Sequence, residues 1–195
     1  MNKKRIKLKY FKMKTKLYIN ELVKDKKVGA ITSTSDHVVK KLIEKINFKN
    51  AEIIIEYGPG NGVITRILLD NMKSNAALYV FETNENFIND LSQIKDNRLK
   101  IINDDAENAK NIIRNKYKIE KVDYIVSTIP FTFIEKRKRK RIINNSFMLL
   151  KDKGRFITYQ YSLLIFNLIR LKSNSVQWKF VLLNLPPAFI IYGIK

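Results

Sequence analysis

The stretch Ile53-Ile54-Ile55-Glu56-Tyr57-Gly58-Pro59-Gly60-Asn61-Gly62 narrows the folding options of this chain more than any other. A short β-branched apolar run reads as a buried strand. It drops into a turn of alternate glycines, and apolar residues then return at helical spacing through Ile64, Ile67, Leu68 and Met72. Strand, glycine turn and helix in that order open the first βαβ unit of an α/β nucleotide-binding sheet. Glycine carries no Cβ, so the backbone can take positive φ and come close to a ligand. A bare strand-to-helix turn is the competing reading.

The turn reads Gly58-x-Gly60-x-Gly62, with its third glycine one place early for the dinucleotide fingerprint. Glu56 precedes it, where a pyrophosphate would be repelled and a cationic amine welcomed. S-adenosylmethionine, with an ammonium and a sulfonium, is such a ligand.

The rest of the chain continues the alternation. Leu78-Tyr79-Val80-Phe81 forms a second strand ending in Glu82, 20 residues past Gly62, where an acid accepts hydrogen bonds from ribose hydroxyls. Asn84 is placed to cap the following helix. Leu99 to Ile102 makes a third strand, followed by Asn103-Asp104-Asp105-Ala106. Asp105 is preferred over Asp104 as the acid for an adenine amino group; a helix cap is the other role open to either. Val122 to Ser127 is the fourth strand and leads into Thr128-Ile129-Pro130-Phe131. In open parallel sheets ligands lie beyond the carboxyl ends of the strands where the order reverses, so strands one and four flank the crevice and this second loop faces it.

A helix through Ile143, Phe147 and Leu150 is expected to end at Gly154, with a fifth strand from Arg155 to Tyr161. Ser162 to Leu171 is an apolar helical stretch, either core or dipping into a membrane surface. Val176 to Leu185 and Ala188 to Ile194 close the sheet, broken at Pro186-Pro187, because proline cannot donate to a ladder.

Charge is the outlier: 38 basic against 18 acidic residues, a net +20, calls for a polyanionic partner, nucleic acid or anionic membrane. Residues 1–28 concentrate it. Lys3, Lys4, Arg5, Lys7, Lys12 and Lys14 interleave with Tyr10 and Phe11, while Ile6, Tyr10, Met13 and Leu17 share a helical face. This region reads as a basic amphipathic helix that binds membrane, packs on the domain, or reaches RNA. The six-residue run Lys136–Arg141 reads as a solvated helix start or a site for phosphate and anionic headgroups. The absence of cysteine excludes disulfides and fits a reducing interior. A single histidine, His37, gives no basis for a histidine metal site, and no metal is expected. No apolar run reaches the roughly 18–20 residues needed to span a bilayer.

With these residues assembled, the chain resembles class I S-adenosylmethionine-dependent methyltransferases, and within them the bacterial phospholipid N-methyltransferase family. The likeness rests on Gly29-Ala30-Ile31-Thr32, on Glu56 to Thr65, on Val126-Ser127-Thr128-Ile129-Pro130-Phe131, on Gln160-Tyr161-Ser162, and on Asn184-Leu185-Pro186-Pro187-Ala188-Phe189. It implies a Rossmann-like sheet of seven mostly parallel strands with a terminal antiparallel hairpin over 29–195, preceded by the membrane-binding region 1–28. It implies methylation of phosphatidylethanolamine toward phosphatidylcholine, by a peripheral protein on the cytoplasmic face of the membrane. Glu56, Tyr57, Gly58, Gly60, Gly62, Glu82, Asp105, Ala106 and Ser127 are then the donor-binding residues. Thr128, Ile129, Pro130, Phe131 and Tyr161 line the acceptor side, and Tyr161 and Ser127 are candidates for relaying the amine's proton. Ser33 and Thr128 depart from that family, which commonly has proline and glycine there; ornithine-lipid methylation is a variant of the same reading.

The rival resemblance is to rRNA adenine dimethyltransferases, which share the sheet and glycine loop. They carry Asn-Leu-Pro-Phe or Asn-Leu-Pro-Tyr after strand four, where this sequence has Thr128, and a helical domain after the sheet, whereas this sequence runs to Lys195. On those grounds nucleic acid is the less expected substrate.

Overall fold

In the computed structural model, residues 36–182 and 187–195 are described, with side chains from Val38 onward. The expectations for residues 1–28, for Gly29 to Ser35 and for Asn184-Leu185-Pro186 fall outside that set.

Seven strands form one sheet: β1 Ile53–Tyr57, β2 Ala77–Glu82, β3 Leu99–Asn103, β4 Val122–Ser127, β5 Leu150–Gln160, β6 Ser175–Val181 and β7 Ala188–Ile194. Their spatial order is β3-β2-β1-β4-β5-β7-β6. The first five run parallel, and β7 lies antiparallel between β5 and β6. The chain moves outward from β1 to β3, then returns to pair β4 with β1, so the order reverses between those two strands. The sequence-based architecture of a mostly parallel sheet with an antiparallel terminal hairpin therefore stands.

The pattern follows from burial. Parallel strands are covered on both faces, so they read as continuous apolar runs; in β1 only Ile53 is less than fully buried. One face carries α1 Asp36–Ile43, α2 Val63–Asn71 and α3 Glu85–Ser92, whose Val38, Leu42, Leu68 and Leu91 meet Ile54, Leu78 and Val80. The other carries α4 Ala109–Asn115, α5 Lys136–Leu149 and α6 Phe166–Arg170, whose Ile113, Ile143, Phe147 and Ile169 meet Ile55, Phe81, Ile125 and Phe156.

Three boundaries differ from the sequence reading. Gly154 does not end a helix: α5 stops at Leu149, and β5 begins immediately at Leu150. The register between β4 and β5 jumps from Val122↔Leu150 to Tyr124↔Arg155, so residues 151–154 bulge out of the ladder. That bulge is held by Lys153 N–H donating to the Lys195 carbonyl and Lys195 N–H donating to Gly154, partners too distant in sequence for a local pattern to show. The apolar stretch Ser162 to Leu171 forms only the short α6, with Ile165 and Ile169 buried but Leu163, Leu164 and Leu171 exposed. Strand β6 runs over Ser175–Val181 with Leu182 in a turn, and residues 183–185 lie outside the described set.

Close packing at the β7 end sets a stability test. A Cβ on Gly193 would stand 2.5 Å from Cγ2 of buried Ile169 and 3.0 Å from Cζ of Phe147. Gly193→Ala is expected to cost about 1–3 kcal/mol by overpacking, read as a lowered urea midpoint with an unchanged slope; an unaltered midpoint would mean α6 stands off the sheet more than these distances imply.

Candidate active site

The glycine loop and the loop after β4 meet at the reversal point. All three loop glycines have positive φ: 69° at Gly58, 57° at Gly60 and 81° at Gly62. Gly62 then serves as the start of α2, with no side chain capping it. A Cβ on Gly58 would strike Cγ2 of Ile129 at 2.7 Å, whereas one on Gly60 would meet nothing within 4 Å. The loop thus touches its neighbour at Gly58 and opens onto free space at Gly60. Asn61 and Arg66 brace it, the guanidinium donating to the Asn61 carbonyl at 2.8 Å.

Glu56 sits one residue before the end of β1, wholly buried. Thr65 of α2 donates to its Oε2 at 2.7 Å, while Oε1 is buried with no hydrogen-bond partner. A buried carboxylate oxygen left unpaired is costly. Burial pushes the carboxyl up to about 7; the Thr65 hydrogen bond pulls it the other way, and the nearby Glu82 charge adds to the rise. Glu82, at the end of β2, is nearly as buried. Its Oε2 accepts from Gly60 N–H at 3.2 Å, and its Oε1 accepts from the N–H groups of Thr83 and Asn84 at 2.8 and 2.9 Å. Two acids therefore face one glycine loop in a protein of net +20. An orphaned carboxylate oxygen beside an open glycine cradle fits a ligand that brings a cationic amine, as S-adenosylmethionine does.

The remaining sequence-predicted donor residues are placed as follows. Tyr57 presents only its backbone: the side chain is fully buried on the opposite face, edge-on to Phe81 and close to Ser146, and burial pushes its phenol up. Ser127, paired with Tyr57 in register, is likewise fully buried, and its Oγ has no hydrogen-bond partner. Asp105 caps a 3-10 turn, Ala106–Asn108: Oδ1 accepts from Glu107 N–H at 2.9 Å and Oδ2 from Lys138 Nζ at 2.5 Å. Both oxygens are engaged, and no local pattern identifies Lys138, from the six-residue basic run, as the partner. Arg141 of the same run pairs with Glu107. Ala106 is buried on the face of the sheet covered by α4, α5 and α6.

On the acceptor side, Thr128 N–H donates to the Tyr57 carbonyl at 3.0 Å, and its hydroxyl donates to the Gly58 carbonyl at 2.5 Å. The two loops are stitched together. Ile129 is half-buried, Pro130 exposed, and Phe131 wholly buried at the start of a 3-10 turn. Gln160, the last residue of β5, holds this loop from beneath: its Oε1 accepts from Phe131 N–H at 3.2 Å, and its Nε2 donates to the Ile129 carbonyl and to Thr158 Oγ1, both at 2.9 Å. Sequence reasoning saw Gln160 only as part of a resemblance; a buried carboxamide at a strand end was the available signal. Tyr161 follows, half-buried, with its ring edge-on to Tyr159 at 5.8 Å.

Comparison with known proteins agrees with this geometry. The family model described as ribosomal RNA adenine dimethylase matches residues 24–146. An ornithine lipid N-methyltransferase of Singulisphaera acidiphila is 22% identical over 173 residues, covering 86% of this chain and 90% of that protein. A ribosomal RNA small subunit methyltransferase A of Ureaplasma parvum serovar 3 is 27% identical over 150 residues, covering 72% of this chain and 53% of that protein. The chain thus spans about half the length of that ribosomal RNA relative. Among solved structures, a magnesium protoporphyrin IX methyltransferase from Synechocystis with bound S-adenosylmethionine is similar at TM-score 0.63, with 15% identity over 83% of this chain and 78% of that one. An N-methyltransferase from Bradyrhizobium japonicum reaches 0.64, with 12% identity over 85% and 98%. At such identities the structural likeness is one of fold.

Glu56 makes the site sensitive to pH. Its folded value, about 7, lies above its ordinary 4.5, so the ligand-free protein loses stability as pH rises from about 4.5 to about 7, and the loss is complete above that. A cationic ligand needs the ionised form, so affinity should fall about tenfold per pH unit below 7. Calorimetric titration of S-adenosylmethionine from pH 5.5 upward should show that slope in the parent and not in Glu56→Gln. The variant should bind at least about tenfold more weakly at pH 8, and its melting temperature relative to the parent should rise with pH. Equal slopes would remove Glu56 from the binding site.

Proposed function

The chain belongs to the ribosomal RNA adenine dimethylase family and is an S-adenosylmethionine-dependent methyltransferase, and on that premise we propose that its acceptor is the amine of a membrane-lipid headgroup, ethanolamine or ornithine. The observation that carries this reading is the acceptor loop. The rRNA dimethyltransferases carry an asparagine where Thr128 stands, and Thr128 turns its one side-chain polar group back onto the Gly58 carbonyl. Ile129, Pro130 and Phe131 add no side-chain hydrogen-bonding group, so the loop offers no carboxamide to an adenine amino group. An alkyl amine needs only its lone pair and a lining. The similarity to an ornithine lipid N-methyltransferase over 90% of that protein supports the same reading.

When bound, S-adenosylmethionine supplies an activated methyl group on a sulfonium. In this reading the protein's work is positioning. Glu56 Oε1 holds the amino-acid ammonium, and the open side of Gly60 leaves room for it. Glu82 takes the ribose hydroxyls, and Asp105 with the Ala106 backbone takes the adenine edge, Asp105 exchanging its Lys138 partner. Gln160 keeps the 128–131 loop at a fixed depth, and Tyr161 lines the acceptor side. The amine must arrive without its proton, which an apolar and aromatic lining favours by penalising the ammonium. The protein would work as a peripheral protein on the inner face of the cell membrane. Lys3, Lys4, Arg5, Lys7, Tyr10, Phe11, Lys12 and Lys14 would meet the anionic surface.

The second reading, methylation of an adenine in ribosomal RNA, is favoured by the family match, by the Ureaplasma parvum relative and by the basic excess. Radiolabelled methyl transfer separates the two, with phosphatidylethanolamine vesicles, ornithine-lipid vesicles and small-subunit ribosomal RNA offered side by side. Label is expected in lipid; label confined to RNA overturns the proposal.

Gln160→Leu probes the positioning role. It leaves Phe131 N–H and the Ile129 carbonyl without their side-chain partner, so transfer should fall at least about tenfold while donor affinity stays within about twofold. Loss of both together would make Gln160 a general stability residue.

A further inference from the structure

The apolar side chains left in solvent are not spread evenly. Phe133 is 49% exposed, Leu163 37%, Leu164 48%, Trp178 47%, Phe180 42% and Leu182 71%. Phe133 follows the acceptor loop, and Leu163 and Leu164 follow Tyr161 beyond the end of β5. On β6, Phe180 pairs with Phe189, which pairs with Gln160. Phe180 therefore lies two strands, about 10 Å, from the residue that holds the acceptor loop. Trp178 and Phe180 alternate onto one face of β6, with Phe189 between them at ring distances of 5.6 and 4.9 Å. All these side chains crowd the end of the sheet where the site opens. At the opposite end, among the described residues, Met148 and Leu171 are the exposed large hydrophobics.

Scattered exposed leucines need no explanation, but an aromatic and leucine cluster beside a site mouth does. The surrounding charge says what covers it. Lys136, Arg137 and Lys140 at the start of α5 are exposed just after Phe133 in the chain, with Glu135 the acid between them, while Lys179 of β6 alternates onto the opposite face of the sheet. Aromatic rings and leucines flanked by cations match the boundary of an anionic bilayer, where rings sit at headgroup depth and lysines meet phosphate.

We propose that this rim, formed by Phe133, Leu163, Leu164, Trp178, Phe180 and Leu182, docks into an anionic lipid surface and sets the site mouth against the headgroup layer. The inference rests on the lipid-amine reading and deepens it. A lipid whose amine enters the crevice keeps its acyl chains in the bilayer, so the protein must approach with this edge first.

Trp178 is the chain's one tryptophan and reports directly on the contact. With vesicles of phosphatidylglycerol and phosphatidylethanolamine, its emission should shift to the blue and be quenched by brominated acyl chains. Leu182→Ser and Phe180→Ser together should weaken vesicle sedimentation about tenfold or more, with S-adenosylmethionine affinity unchanged as the control for folding. An unshifted Trp178 on vesicles that sediment the protein would overturn the proposal, assigning adhesion to another surface; no vesicle binding would do the same. Quenching by RNA without any response to vesicles would also overturn it, making the rim a base-stacking surface. The two readings fail separately: insertion of Trp178 without lipid methylation sinks the acceptor assignment, and lipid methylation with Trp178 still in water sinks the docking rim alone.

Discussion

Parallel pairing of β1 with β4 is the constraint on which the rest depends. It brings the glycine loop and the acceptor loop side by side, lets Thr128 N–H close onto the Tyr57 carbonyl, and leaves Glu56 inside the sheet with one oxygen unpaired. A buried carboxylate is a poor choice for stability alone, and the pressure on it is visible in its raised pKa. The fold tolerates this because β1 is flanked on both sides and covered on both faces. Instability is stored where a cationic ligand can release it.

Much of the fold was legible because fully buried parallel strands leave a simple trace. Ile53–Tyr57 and Val122–Ser127 are short apolar runs bounded by turn residues, and the positions of Glu56, Glu82 and Asp105 follow from strand ends. Tertiary relations were not legible. Lys151-Asp152-Lys153-Gly154 looks like a turn between helix and strand, yet it is a bulge secured by the far end of the chain. Asp105 reads as an adenine ligand, but its ion pair with Lys138 depends on how α5 lies over the sheet. Tyr57 and Ser127 end β1 and β4 side by side, and the full burial of both side chains depends on packing that the strands alone do not show. The outer face of β6 alternates as a buried strand would, so its sequence conceals that Trp178 and Phe180 remain in solvent.

Charge and acidity are segregated. The chain carries a large cationic excess, while Glu82 accepts from the glycine loop and Glu56 is buried beside it with its hydrogen bond to Thr65. Screening by salt weakens interactions between exposed charges far more than those between buried ones. Attraction to an anionic surface and recognition of a cationic ligand are therefore separable, the first tunable by ionic strength and the second by protonation.

The contact between Gly58 and Ile129 has a consequence for how such a protein can change. Because Gly58 has no room for a Cβ beneath Ile129, and its carbonyl is held by Thr128, the two loops form one mechanical unit. A graft of residues 128–131 from a methyltransferase with a different acceptor would press a foreign side chain onto an unmatched turn. Acceptor preference in this architecture should therefore be inherited as a pair of loops, and re-engineering it means transplanting both.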